Sequence, residues 1–124
     1  MTRVGESTNK GRGLFATRLI SCGELIEEAH VIVVPREQVE QLDATVLGDY
    51  LFLWGEEEEE TALVLGRGSL CNHSYQPNAR FVLHPDRLTI EFVALRDISA
   101  GEEIATNYHG DPACSDPVWF EAKP

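Results

Sequence analysis

The sequence predicts a mostly β fold of the α+β kind, with one or two short helices. Glycine and proline interrupt the chain often, and the apolar runs between them are short, which is typical of strands rather than of long helices. Only the stretch from Arg36 to Gly48 repeats apolar residues at helical spacing. With 124 residues, 43% of them hydrophobic and 25% charged, residues 1–124 are expected to form one compact domain with a packed core.

The first strand segments and the helix lie before residue 50. Leu25–Ile26 and Val31–Val34 have strand character, on the far side of a turn predicted at 21–24. The second of them ends at Pro35, which has no amide hydrogen to give to a neighbouring strand. The helical candidate follows, and its apolar positions are Val39, Leu42, Val46 and Leu47.

Two further strand segments flank an acidic run. Tyr50–Trp54 is apolar and ends at Gly55, and Ala62–Leu65 follows five consecutive glutamates, Glu56–Glu60. Five adjacent carboxylates repel one another and are best placed in water. The run therefore predicts a solvated hairpin tip, with a site for a basic partner as the alternative.

The second half of the chain predicts a β-hairpin and a flank. Ala79–Leu83 and Leu88–Leu95 are extended segments on either side of His84–Arg87, which carries proline in its turn. Residues 109–124 are expected to form a loop-like flank, with Trp119 and Phe120 among three prolines. The core is thus expected at about residues 11–108.

Charge and cysteine content narrow the classes of function. Twenty-one acidic against ten basic residues give a formal charge of -11, which repels nucleic acid and attracts basic protein surfaces. The alternative interpretation is that the acidic residues only keep the protein soluble. Three widely spaced cysteines match neither a disulfide framework nor a zinc site, so we expect a reducing, intracellular setting and no metal. We expect no signal peptide and no membrane segment.

The segment Leu70–Asn78 has the highest density of directional hydrogen-bonding groups. It holds two amides, an imidazole and a hydroxyl close to a strand end: Asn72, His73, Ser74 and Asn78. Irregular backbone must satisfy its own donors and acceptors locally, so such a segment favours a turn that holds a ligand.

Three segments occur in a fixed order: Gly11–Ala16, then Asn72-His73-Ser74 with Pro77-Asn78, then Gly101–Ile104 with Tyr108. Together they resemble the SET-domain protein-lysine methyltransferases, above all the minimal bacterial or viral forms. The resemblance runs from about residue 11 to 108. It implies a β-clip fold of small curled sheets, in which a C-terminal segment threads under an earlier loop in a knot-like way.

The resemblance also implies a cofactor and a catalytic residue. S-adenosylmethionine and the substrate lysine would enter from opposite faces and meet in a narrow channel. The residues implied at the cofactor are Gly11, Arg12, Gly13, Asn72 and His73. Tyr108 is the implied catalytic residue, which would orient the lysine amine. Without the resemblance, the glycines fit a plain turn and Tyr108 fits a core aromatic at a strand end.

The resemblance also implies further aromatic residues that line the lysine channel. In this region the sequence differs from that of many relatives. Tyr50 is the first candidate, with Tyr75, Trp119 and Phe120 behind it, although each also suits core packing. Many relatives complete the channel with a cysteine-rich zinc segment, whereas Cys114 stands alone, so Trp119 and Phe120 are expected to close it. Thr106 stands where relatives carry Phe or Tyr, which leaves the number of methyl groups open.

The sequence thus predicts an S-adenosylmethionine-dependent methyltransferase acting on the lysine ε-amine of a basic protein, such as a chromatin or ribosomal protein. The alternatives are a non-catalytic module that binds basic protein tails, and a methyltransferase for a different amine. We expect no direct contact with nucleic acid or membrane, a homodimer that could complete the substrate groove, and a cytoplasmic location, or a nuclear one in a eukaryote.

Overall fold

The computed structural model describes residues 1–8, 11–55, 60–108 and 112–113. Within these ranges the chain forms nine strands, one α-helix and two 3₁₀ helices. In chain order the strands and the α-helix are β1 (Thr2–Ser7), β2 (Gly11–Ala16), β3 (Leu25–Val34), α1 (Arg36–Asp43), β4 (Leu51–Trp54), β5 (Glu60–Val64), β6 (Asn72–His73), β7 (Ala79–His84), β8 (Thr89–Ala94) and β9 (Glu103–Thr106). The 3₁₀ helices span Val46–Tyr50 and Arg67–Leu70.

A four-stranded sheet, in the order β1-β2-β9-β6, joins the start of the chain to its end. β1 and β2 pair antiparallel over their whole length, from Thr2 opposite Ala16 to Ser7 opposite Gly11. Regular pairing therefore begins before residue 11, where we expected the core to start. β6 and β9 are parallel, and this pairing is the described part of the knot-like arrangement implied by the resemblance.

A five-stranded antiparallel sheet has the order β4-β5-β3-β8-β7. The predicted hairpin is confirmed as β7 and β8, and β3 ends before Pro35 as the sequence indicated. The two predicted segments at 25–26 and 31–34 are one strand, because Ala29 and Val31 face the core while His30 and Ile32 face solvent.

The α-helix is shorter than predicted. It ends at Asp43 rather than at Gly48, because the Thr45 hydroxyl donates to the Leu42 carbonyl at 2.7 Å and accepts from the Leu47 amide at 3.2 Å. These bonds close the helix and start the first 3₁₀ helix. No residue of α1 is buried. None of the helices among the described residues has the length and apolar character needed to cross a membrane.

The core consists of two clusters of buried side chains. The first lies under the four-stranded sheet: Leu14, Ala16, Ile20, Cys71, Ala79, Ala94, Ile98 and Ile104. The second lies under the five-stranded sheet: Ala29, Val31, Trp54, Ala62, Val64, Ile90 and Phe92. Ile26 packs against both clusters, so the two sheets are held together through a continuous apolar interior.

Replacing Gly68 with alanine should destabilise the protein. Gly68 is buried before the polar turn, and a Cβ there would lie 2.1 Å from the Phe92 ring. Because Phe92 is 1% exposed and tightly enclosed, we expect Gly68→Ala to lower the free energy of unfolding by about 1–3 kcal/mol. Urea unfolding measures this. Gly5→Ala is the control, since its Cβ would chiefly meet the movable end of Arg3 and should cost less. Equal stability of the two variants would contradict the packing.

Candidate active site

Parallel pairing of β6 with β9 brings the polar turn to the end of the chain. Asn72 lies opposite Ala105 and His73 opposite Thr106. The Ser74 amide extends the pairing by donating to the Thr106 carbonyl at 2.9 Å. Residues about thirty positions apart in sequence therefore share one small surface.

Asn78 fastens the turn to β9 a second time. Its side-chain nitrogen donates to the Glu103 carbonyl at 2.8 Å, and its side-chain oxygen accepts from the Ala105 amide at 2.9 Å. Asn78 is 4% exposed, so both bonds are shielded from water. Both polar atoms of the Asn78 amide are thus used within the protein, and Asn78 shapes the turn.

The Asn72 amide is held by two acceptors. Its Nδ2 donates to Glu103 Oε2 at 2.8 Å and to the Arg12 carbonyl at 3.1 Å. Glu103 is held in turn, because its Oε1 accepts from the Ser7 hydroxyl at 2.7 Å. The arrangement joins β1, β2, β6 and β9 around one carboxylate.

Gly13 lies against this pair. A Cβ on Gly13 would be 2.5 Å from Glu103 Oε2 and 3.0 Å from Asn72 Nδ2. The resemblance attributed the glycine to a close approach of the cofactor, but the protein's own Asn72–Glu103 contact already requires it. Gly11 differs, because its φ of +72° favours glycine and a Cβ there would meet nothing within 4 Å.

The His73 ring supports the backbone before Tyr108. His73 is 2% exposed, and its Nδ1 accepts from the Tyr108 amide at 3.0 Å. Its ring makes edge contacts with Tyr75 at 4.4 Å and Tyr108 at 5.2 Å between centroids. The imidazole is therefore structural, and the backbone of His73 is the part that can face a cofactor.

The Tyr108 hydroxyl lies in a pocket. It donates to the Cys71 carbonyl at 2.8 Å. The pocket has a volume of about 110 Å³, and its lining residues are Asp49, Tyr50, Leu51, Phe52, Leu53, Ser69, Cys71 and Tyr108. A void of this size suits one side chain rather than a whole cofactor. The structure thus brings Tyr50 and Tyr108, both predicted from the sequence, to the same pocket.

Burial keeps the pocket groups neutral. Burial is the main reason why the pKa of the Tyr108 hydroxyl lies well above that of a free tyrosine. Burial, with the negative charges of Glu27 and Glu103, also raises the pKa of the Cys71 thiol to about 12. Both groups therefore stay protonated at any physiological pH.

Of the remaining predicted residues, those that the structure describes do not line the pocket. Thr106 is fully buried in β9 and Tyr75 is 41% exposed, and neither lines it. Arg12 is exposed, and its contribution to the site is its backbone carbonyl. Trp119 and Phe120 lie outside the described residues, as do Cys114 and most of the acidic run. Their predicted roles stay predictions.

Sequence reasoning missed Glu103, Ser7 and Cys71. Glu103 belongs to one of the three segments that carry the resemblance, but the sequence alone does not indicate which residue its carboxylate bonds. Ser7 lies 96 positions away, on a strand that we had not predicted. Ser7 is a buried polar residue, 8% exposed, on the core side of β1. Knowing the sheet register would have indicated that such a residue needs a partner.

Comparisons with known proteins agree with this geometry. A model described as the SET domain matches residues 11–109. The histone-lysine N-methyltransferase of Schizosaccharomyces pombe specific for H3 lysine 37 is 33% identical over 119 residues, which are 95% of this chain and 76% of that protein.

Solved structures have the same fold. A candidate histone methyltransferase of Plasmodium falciparum matches with a TM-score of 0.71 at 29% identity, over 86% of this chain and 91% of that one. A humanized mutant of the Chaetomium thermophilum polycomb repressive complex 2 matches with a TM-score of 0.72 at 25% identity, over 87% of this chain and 15% of that one.

A mostly β fold of curled sheets, with a polar turn paired to a C-terminal strand, defines the class of protein. The family match over most of the sequence confirms it. This chain belongs to the SET-domain family of protein-lysine methyltransferases. The fold class predicted from the sequence is confirmed as well.

The two described cysteines should differ in reactivity. Cys22 is exposed, whereas Cys71 is buried with its pKa raised to about 12. Because the thiolate is the reactive form, iodoacetamide at pH 8 should label Cys22 and leave Cys71 unlabelled until the protein is denatured. Peptide mass spectrometry of a Cys114→Ser variant measures both sites. Labelling of native Cys71 as fast as Cys22 would contradict the described burial.

Proposed function

We propose that this chain transfers a methyl group from S-adenosylmethionine to the lysine ε-amine of a basic protein. The observation that carries the proposal is the Tyr108 hydroxyl in an apolar pocket, bonded to the carbonyl of the residue before Asn72. The proposed catalytic residue thus contacts Cys71, and the next residue along the chain is Asn72, a proposed cofactor-binding residue.

Adjacent residues of extended backbone place their side chains on opposite sides. Cys71 has extended dihedral angles and lines the pocket, whereas Asn72 turns to Gly13 and Glu103. This alternation supports a substrate lysine on the Cys71 side and a cofactor on the Asn72 side.

The groups on the Asn72 side fit the amino-acid end of S-adenosylmethionine. Both hydrogens of the Asn72 amide are engaged inward, so its Oδ1 is the atom that can accept a hydrogen bond from an ammonium group. The Glu103 carboxylate adds negative charge nearby. The bound cofactor supplies an electrophilic methyl on a sulfonium sulfur.

The pocket would prepare the amine that attacks. A lysine with an ordinary pKa near 10.4 is protonated at neutral pH and must lose its proton first. The apolar residues Leu51 and Leu53, which line the pocket, disfavour the ammonium form by desolvation. The Tyr108 hydroxyl, anchored to the Cys71 carbonyl, would then orient the neutral amine through its oxygen.

Charge supports a basic substrate. The chain has a formal charge of -11, and Asp49, which is exposed, places a carboxylate at the outer part of the pocket wall. The similar methyltransferase of Schizosaccharomyces pombe is named for a histone lysine. We therefore propose a histone or a similarly basic protein as the acceptor. The homodimer and the intracellular location stay predictions.

Removing the Tyr108 hydroxyl should impair the transfer step. We expect Tyr108→Phe to lower kcat by about 100-fold or more, because a positioned polar group at the reacting atoms is lost while the pocket keeps its shape. Transfer of a labelled methyl to a lysine-rich protein measures the rate, and calorimetry measures cofactor binding, which should persist.

The matched control is Tyr75→Phe, which removes the hydroxyl of a tyrosine that does not line the pocket. It should retain most of the activity. Undiminished transfer by Tyr108→Phe would contradict the role of Tyr108. A wild-type protein that binds basic peptides with steep salt dependence but shows no cofactor binding would instead be a non-catalytic module.

The value of kcat/KM should rise with pH between pH 7 and 9.5 and should not fall within that range. Deprotonation of the substrate lysine increases the reactive amine as pH increases, up to its ordinary pKa. Ionisation of Tyr108 would reverse this rise, but burial favours the neutral phenol and raises its pKa, so ionisation is displaced to higher pH. We expect kcat/KM to increase from pH 7 to 9.5. A falling limb near pH 9, with the fold intact by circular dichroism, would contradict this.

A further inference from the structure

We infer that Glu103 is a positioning residue, which fixes the Asn72 amide so that its oxygen, not its nitrogen, faces the bound cofactor. The inference rests on the proposed function and extends it to a residue on a different strand. It begins with the Asn72 hydrogen bonds. Nδ2 donates to Glu103 Oε2 at 2.8 Å and to the Arg12 carbonyl at 3.1 Å.

These partners determine which way the amide points. A carboxylate oxygen and a carbonyl oxygen are both acceptors only, so an amide turned by 180° would place its own oxygen against them. Repulsion excludes that orientation. Oδ1 is thereby directed away from Glu103 and Arg12, as an acceptor for a positively charged donor.

The carboxylate is itself held in place. The Ser7 hydroxyl donates to Glu103 Oε1 at 2.7 Å, and Ser7 is 8% exposed on β1. Gly13 leaves the room that the contact needs, since any Cβ there would be 2.5 Å from Glu103 Oε2. Three strands therefore combine to hold one rotamer of one side chain.

The Glu103 carboxylate has no positively charged partner among the described residues. Both described partners of Glu103 are neutral donors, and no lysine or arginine among the described residues forms an ion pair with it. The negative charge next to Asn72 therefore reinforces binding of an α-ammonium group. The predicted specificity is for ligands that carry this ammonium.

A double-mutant cycle tests the inference by calorimetry. Glu103→Ala should raise the dissociation constant for S-adenosylmethionine by roughly tenfold or more, as expected for a hydrogen bond to a charged group. In an Asn72→Ala background the same change should have a clearly smaller effect, because the positioned amide is already absent and only the effect of the charge remains. Glu103→Gln keeps an acceptor for Asn72 without the charge and should give an intermediate value.

An analogue lacking the α-amine separates positioning from general damage. Wild type and Glu103→Ala should bind the deaminated analogue with equal affinity. Glu40→Ala, which removes an exposed glutamate of α1, is the control and should leave both dissociation constants unchanged. Should Glu103→Ala fail to fold, Ser7→Ala frees one carboxylate oxygen and should give a smaller loss of the same selectivity.

Three outcomes overturn the inference. The first is an equal loss of affinity from Glu103→Ala in the wild-type and Asn72→Ala backgrounds, and the second is an equal loss for both ligands. The third is unchanged binding of S-adenosylmethionine by Glu103→Ala. If the wild-type protein binds no S-adenosylmethionine, the proposed function fails instead, so the two failures are distinguishable.

Discussion

The parallel contact between β6 and β9 is the constraint on which the site depends. It is only two residues long, and parallel pairs of this length contribute little stability alone. The two bonds of Asn78 to the β9 backbone reinforce it, and the buried His73 ring accepts a hydrogen bond from the Tyr108 amide just beyond it. Asn72 and His73 lie on β6 and Tyr108 follows β9, so this pairing brings the predicted cofactor-binding turn next to the predicted catalytic tyrosine.

The same contact separates two chemical environments. On one side of the chain, Cys71 and Tyr108 border an apolar pocket in which burial keeps titratable groups neutral. On the other side, the Asn72 amide is bonded to the Glu103 carboxylate, at the place where we propose that the cationic cofactor binds. The proposed reaction joins a neutral amine to a cationic methyl donor, and the alternation of an extended backbone offers a different environment for each within two residues.

Local pattern was sufficient for much of the fold. The hairpin of β7 and β8, the end of β3 at Pro35 and the mostly β class follow from apolar runs and their interruptions. The helix end at Asp43 was missed because the capping by Thr45 competes with apolar spacing. Tyr108 could be selected because the motif marks it, and Tyr50 because it opens the apolar stretch before the acidic run. The Ser7–Glu103 bond instead depends on a sheet register between distant parts of the chain, which short-range patterns do not contain.

Amide hydrogen exchange in the native protein tests the central role of the β6–β9 contact most directly. Three amides report on it, those of Ser74, Ala105 and Tyr108, which donate to Thr106, Asn78 and His73. If the contact opens as one unit, the three should exchange slowly and share one opening free energy. Fast exchange of the Ser74 and Tyr108 amides while that of Ala105 stays protected would contradict the account, because Asn78 would then hold the turn to β9 without the β6–β9 pairing.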